Sequence, residues 1–122
     1  MRHCEEMQSI VRQTLLFDFY GQLLSEKQHQ AVSLYYNDDL SLSEVSEVMG
    51  ITRQGVRDLV KRSEAELYEY EEKLGLYKRF EQVGESASRI RELAEVLSHG
   101  KNPEICARLI IDEVDKITEQ EA

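Results

Sequence analysis

Apolar side chains along this chain recur three and four positions apart, the spacing that places them on one face of an α-helix. The first such stretch, roughly residues 5–20, carries Ile10, Val11, Thr14 and Leu15 and then the dense run Phe17, Asp18, Phe19 and Tyr20. It predicts a helix whose far end is buried. Ser25-Glu26-Lys27-Gln28 has the form of a capping box, in which the serine hydroxyl accepts the backbone N–H three residues on and Gln28 reaches back. A helix starts there, shows Ala31, Val32, Leu34, Tyr35 and Tyr36 on its apolar face, and breaks at Asn37-Asp38-Asp39. Ser41-Leu42-Ser43-Glu44 repeats the capping logic and opens a short helix that ends at Gly50, glycine being suited to the left-handed stop. Thr52 caps the next helix, which runs from Arg53 well past Tyr68 because Leu59, Val60, Leu67, Tyr70 and Leu74 keep helical spacing until Gly75.

The interval between these last two helices is specific. In a DNA-reading helix-turn-helix a small residue lies in the first helix, a glycine makes the turn, and an aliphatic residue locks the second helix against the first. Ser46, Gly50 and Val56 fall at those positions, and Val45, Val48, Ile51, Val56, Leu59 and Val60 supply apolar positions to pack the pair. Farther on, Ser86 or Ser88 can cap a helix through His99 with Ile90, Leu93, Ala94 and Leu97 on one face. Asn102-Pro103 caps and starts another with Ile105, Cys106, Leu109, Ile110, Val114 and Ile117. No strand-type alternation or internal repeat occurs, and one proline and six glycines are the only strong punctuation. The expected fold is therefore all-α, with residues 1–80 forming a helix-turn-helix domain with an N-terminal helix. Residues 81–122 form a C-terminal helical arm whose apolar face makes it a dimerisation element.

Composition narrows the classes. The 122 residues are 41% hydrophobic and 32% charged, too apolar for a disordered chain and too charged for a membrane span. No run approaches the roughly 18 apolar residues of a transmembrane helix, and Glu5, Glu6 and Arg12 interrupt any signal-peptide core. Cys4 and Cys106 form no CxxC pair and read as reduced thiols, so a cytoplasmic location is expected. His3, His29 and His99 lack metal-ligand spacing, and no metal or cofactor is expected. Enzyme readings fare poorly: no nucleophile with a base, no phosphate-cradling glycine loop and no metal cluster stands out. The nearest carboxylate group, Asp38-Asp39 beside Asn37, reads as an inter-helix loop, and Tyr35, Tyr36, Tyr68, Tyr70 and Tyr77 read as packing residues.

Charge changes the picture more. The chain carries 15 Lys+Arg against 24 Asp+Glu, a net charge of −9. Summed by segment, residues 1–40 carry −3, 41–51 −2, 63–83 −3 and 84–122 −4, while residues 52–62, with Arg53, Arg57, Lys61 and Arg62 against Asp58, carry +3. A duplex repels the rest of this chain, so this island is where DNA contacts would have to sit. Arg53 and Gln54, just after the Thr52 cap, are placed to meet base edges, where Arg suits guanine and Gln suits adenine. Arg57, Lys61 and Arg62 are placed to hold phosphates. The competing reading is a solvated helix face paired with Glu64, Glu66 and neighbouring acids.

Several motifs together carry a family resemblance over about residues 15–80. They are LLFDFYG (Leu15 to Gly21), LSEKQ (Leu24 to Gln28), LYYNDDLSLSE (Leu34 to Glu44), RQGVRD (Arg53 to Asp58) and YEEKLGLYKRF (Tyr70 to Phe80). This stretch resembles the YlxM family of small helix-turn-helix proteins from Gram-positive bacteria. The resemblance implies helices like those of the final, promoter-reading domain of bacterial sigma factors. It also implies a link to the signal recognition particle pathway, because the family's gene usually lies beside those of that pathway's GTPases. Two positions depart from the family pattern: Ser46 stands where alanine is usual, and Gly55 stands where alanine is more frequent.

Two functions follow. The first is a DNA-binding regulatory protein, a homodimer whose long helix after Leu59 and C-terminal helix pair form the interface, with double-stranded DNA as partner. The second is a protein-interaction regulator that docks its acidic faces on a signal recognition particle protein or its receptor.

Overall fold

The computed structural model describes the backbone of residues 2–119 and the side chains of residues 10–119. The expected reduced state of Cys4 and the side chain of His3 lie outside the described residues. Six α-helices follow in order: α1 Arg2–Tyr20, α2 Glu26–Val32, α3 Leu42–Met49, α4 Arg53–Leu74, α5 Leu76–Ser98 and α6 Pro103–Glu119. A 3-10 turn at Gly21–Leu23 and a π-helical turn at Ser33–Asn37 complete the chain path, and no strand occurs among the described residues. No helix of the described residues is long and apolar enough to cross a membrane.

Helix starts follow the local chemistry. Ser25 and Ser41 each accept the N3 backbone N–H, and Gln28 and Glu44 each return a side-chain oxygen to the cap N–H, so both capping boxes are closed. Gly50 ends α3 at φ 68°, a left-handed conformation that costs glycine nothing and would strain any other residue. The apolar face of α2 does not continue as an α-helix: from Ser33 the backbone widens into a π turn that sets Tyr35 and Tyr36.

The described residues up to Tyr77 form one compact unit. Its core has two parts, both lined by α4. Leu16, Phe17, Tyr20, Leu24, Val32 and Leu67 form one, and Ala31, Val45, Val56 and Val60 form the other; Tyr36 packs against both. On α4 the buried residues are Val56, Val60, Ser63 and Leu67, a single stripe at helical spacing. Ser63 sits on it without cost, since its hydroxyl donates to the Leu59 carbonyl at 2.7 Å.

Two tyrosine–glutamate hydrogen bonds tie other segments to α4. The Tyr36 hydroxyl donates to Glu64 Oε1, and the Tyr20 hydroxyl donates to Glu71 Oε1 at 2.7 Å. Burial and then the hydrogen bond to its glutamate push both tyrosine pKa values up, so both hydroxyls keep the proton that makes the bond. At the α4–α5 corner the same groups act again. The Leu76 N–H donates to the Tyr20 oxygen at 3.0 Å and the Tyr77 N–H donates to Glu71 Oε1 at 2.9 Å. Backbone donors left open at the start of α5 are thereby satisfied without a Ser, Thr, Asp or Asn cap. This is why α5 begins at Leu76 and runs unbroken to Ser98, instead of starting anew at Ser86 or Ser88.

The residues from Lys78 onward form the second unit. Pro103 opens α6 as expected, with Asn102 at φ 47° before it and the Cys106 N–H bonded to the Asn102 carbonyl at 3.0 Å. Among its described residues Ser86, Cys106 and Glu113 are buried, whereas Ile105, Leu109, Ile111 and Val114 are exposed. The Glu113 carboxylate lies 3.5 Å from Arg89 Nε and 3.2 Å from Lys116 Nζ. Burial pushes its pKa up, but the hydrogen bonds from Lys116 and Ser86 and the nearby Arg89 charge outweigh this and hold it below the usual carboxylate range.

Tyr20→Phe removes a hydroxyl that both donates to Glu71 and accepts from Leu76. It is expected to destabilise the chain by about 2 kcal/mol in urea denaturation. Tyr68→Phe, at an exposed tyrosine, should leave the midpoint unchanged; equal midpoints for the two variants would show that the corner bond carries no stability.

Candidate nucleic-acid interface

Helices α3 and α4 with the turn between them form the helix-turn-helix. Val45 of α3 and Val56 and Val60 of α4 are fully or almost fully buried against each other, and Leu42, Met49 and Leu59 pack around them. One residue expected in this contact is not there: Val48 is 58% exposed, while Ile51, 37% exposed, stays at the edge of the contact with its Cδ1 near Gly55 of α4. The inward side of an eight-residue helix holds about two turns' worth of side chains, and Leu42, Val45 and Met49 fill it, leaving Val48 on the outer side.

All six residues singled out on the basic island, Thr52, Arg53, Gln54, Arg57, Lys61 and Arg62, are exposed. Thr52 is a cap before it is anything else: its hydroxyl oxygen accepts the Gly55 N–H at 3.0 Å. Gly55 is half-buried, and a Cβ on it would stand 3.1 Å from that hydroxyl oxygen and 3.8 Å from Ile51 Cδ1. The missing side chain therefore makes room for the cap.

Around α4 the outward residues divide into stripes. On a helix turning about 100° per residue, Asp58 lies about 180° from Leu67, at the pole opposite the core. Gln54 stands one turn before Asp58 on that same stripe, and its side-chain N–H donates to Asp58 Oδ1 at 3.0 Å. Arg53 and Arg57 lie to one side of this pair and Arg62 to the other, with Lys61 a further turn along. Asp58 entered the sequence reading only as a subtraction from the positive charge. The i,i+4 spacing of Gln54 and Asp58, opposite Val56 and Val60, is the signal that marks it.

The reading that paired the island with acids of its own helix meets a specific obstacle. Glu64 receives the Tyr36 hydroxyl and serves the fold. On α3, Glu44 is held in the Ser41 capping box and Glu47 is exposed, so the first helix of the motif stays acidic beside a basic second one. The described residues contain no group of three His, Cys, Asp or Glu side chains able to hold a metal ion.

Comparison with known proteins agrees with this architecture. Residues 7–103 match the family described as "Putative helix-turn-helix protein, YlxM / p13 like". The chain is similar to a UPF0122 protein of Thermoanaerobacter pseudethanolicus, 43% identical over 108 residues that cover 88% of this chain and 91% of the relative. A UPF0122 protein of Bacillus velezensis is 46% identical over 91 residues, 75% of this chain and 83% of its own length. One from Bacillus cereus strain AH187 is 39% identical over 111 residues, 91% of this chain and 98% of its own length.

The cap and the glycine should be coupled. Thr52→Ala is expected to cost about 1 kcal/mol of stability. In that background Gly55→Ala should return about 1 kcal/mol through helix propensity, and it should return less in the wild type, where the methyl presses on the cap oxygen. Urea denaturation of the four proteins measures this; effects that add within about 0.5 kcal/mol would show the two residues to be independent.

Proposed function

Because the chain belongs to the YlxM/p13-like helix-turn-helix family, we propose that it is a DNA-binding regulatory protein that reads double-stranded DNA with the start of α4. The observation that carries this reading is the set of exposed cations Arg53, Arg57, Lys61 and Arg62, net +3 over residues 52–62 of a chain with net charge −9, on the exposed face of α4. In a helix-turn-helix that face enters the major groove. Arg53 and Gln54 meet base edges, Arg57, Lys61 and Arg62 hold phosphates, and Thr52 fixes the helix start that aims them. No step of this role calls on catalysis. The protein acts in the cytoplasm, and its part in the signal recognition particle pathway rests on the gene neighbourhood that the family resemblance carries.

A homodimer fits this role, since two recognition helices then meet successive major grooves about one duplex turn apart. The exposed Ile105 and Leu109 of α6, one turn apart on one side of the helix, supply an apolar strip in residues 81–122 for a second copy to cover.

The second reading, docking on a signal recognition particle protein or its receptor, is favoured by the net charge of −9 and by exposed acids such as Glu69 and Glu72, which would steer a basic partner. Glu71 takes no part in such a surface, because it is half-buried and bonded to Tyr20 and Tyr77.

Phosphate contacts by Arg57, Lys61 and Arg62 predict a log–log salt slope of about −2.7 per protomer, from roughly −0.9 per contact. Arg53→Ala should relax sequence preference, and Lys61→Ala should weaken all sequences alike. A pull-down of genomic fragments and proteins from native lysate, with and without nuclease, separates the two readings. Discrete DNA sites lost in an Arg53→Ala/Arg57→Ala variant support the regulator; nuclease-resistant recovery of particle or receptor proteins without DNA supports docking. Light scattering at micromolar concentration should give a dimer, and a monodisperse monomer would remove the proposed interface.

A further inference from the structure

We propose that Asp58 is a specificity-determining residue and that Gln54 and Asp58 act as one reading pair, selecting a base that presents an exocyclic amino group, adenine or cytosine, on the strand beneath α4. This rests on the duplex-reading role proposed above. An anionic side chain at the centre of a DNA-facing surface is repelled by every phosphate, and an ionised carboxylate has no proton to donate. The base-edge atoms it can bond in the major groove are the N–H donors, adenine N6 and cytosine N4; guanine O6 and N7 and thymine O4 are acceptors and face it unfavourably.

The geometry places the carboxylate at that centre. Asp58 is exposed at the pole of α4 opposite Leu67, with Arg57 to one side and Arg62 to the other, where the phosphates of two flanking strands would lie. Its recorded bond is to Gln54 Nε2 at 3.0 Å, so its second oxygen stays open to a base. The same bond orients the glutamine. Because the carboxylate only accepts, the NH2 end of the amide must turn toward Asp58, which points the Gln54 Oε1 acceptor away along the stripe. Left alone, Gln54 can rotate its amide and bond donors or acceptors alike; held by Asp58, it presents its acceptor to the same amino group class.

Selection of bound duplexes from a randomised pool tests this, followed by anisotropy titration of the selected duplex and its single-base variants. The full chain is compared with Asp58→Asn, Gln54→Ala and the Arg57→Ala/Lys61→Ala pair. The wild type should favour adenine or cytosine over guanine or thymine at one position by about tenfold. Asp58→Asn keeps the shape but adds a donor, so it should admit the keto bases at that position and lose the preference. Gln54→Ala should weaken the same position. If Asp58→Asn instead strengthens all duplexes by one common factor and leaves the preference intact, the carboxylate is a charge penalty only and the assignment is overturned. A wild type that binds with the expected salt slope but shows no base preference overturns this inference and leaves duplex binding standing. Equal binding by the wild type and the Arg57→Ala/Lys61→Ala pair overturns both.

Discussion

One helix has to serve two surfaces, and the rest of the first unit follows from that constraint. Helix α4 turns Val56, Val60, Ser63 and Leu67 into the core and turns Gln54, Asp58 and their flanking cations out. A recognition helix can be aimed only if its inner face is locked, because a rotation of one residue, about 100°, would exchange the two surfaces. The lock here is built from small, stiff groups. Val45, Val56 and Val60 are β-branched and have few rotamers to lose, and buried Ser63 spends its hydroxyl on the Leu59 carbonyl. The outer face then inherits its direction from the core.

Apolar packing alone leaves a helix free to slide along its axis by a turn, and the tyrosine–glutamate bonds remove that freedom. Tyr36 meets Glu64 and Tyr20 meets Glu71, seven positions or two turns farther along the same side of α4. A hydrogen bond to a carboxylate is stronger than one between neutral groups and is directional, so each bond fixes height as well as rotation. Their raised tyrosine pKa values keep the donors protonated far above neutral pH. Glu71 does double duty by also accepting the Tyr77 N–H, so the bond that sets the height of α4 also starts α5. Arg12 adds a looser contact, its guanidinium 5.4 Å from the Tyr68 ring and 5.8 Å from the Tyr77 ring.

What could be read from the sequence was what depends on neighbours a few residues apart. The Ser25 and Ser41 capping boxes, the Thr52 cap, the left-handed stops at Gly50 and Gly75 and the Pro103 start are decided within one helical turn, and each stands where the pattern puts it. The Ser46, Gly50 and Val56 spacing works for the same reason. Long-range partners were not legible. Glu64 and Glu71 look like solvated acids in a charged helix, and nothing near them in sequence announces tyrosines 28 and 51 residues away. The continuous α5 followed from the same blind spot, since its first donors are satisfied by Tyr20, not by a local cap. Val48 is apolar yet faces outward, because a short helix has fewer inward places than this motif has apolar residues. Of the candidate interface, the basic residues were legible from composition, whereas the place of Asp58 among them required the direction of the core face.

The remaining question is how an acidic chain can present a surface to a polyanion at all. At physiological ionic strength the screening length is about 8 Å. Charges more than a screening length from the exposed end of α4 therefore count for little there, and the local sign decides. Locally the cations sit on α4, Glu44 is held in a cap and Glu64 by Tyr36, and Asp58 keeps its charge among the cations while bonded to Gln54. The surplus of negative charge elsewhere then acts against indiscriminate binding, since any docking that brings more than the start of α4 near a phosphate is repelled. In the proposed duplex-reading role net charge and interface charge oppose each other: the first would limit how the chain can approach a duplex, and the second would define the approach left open.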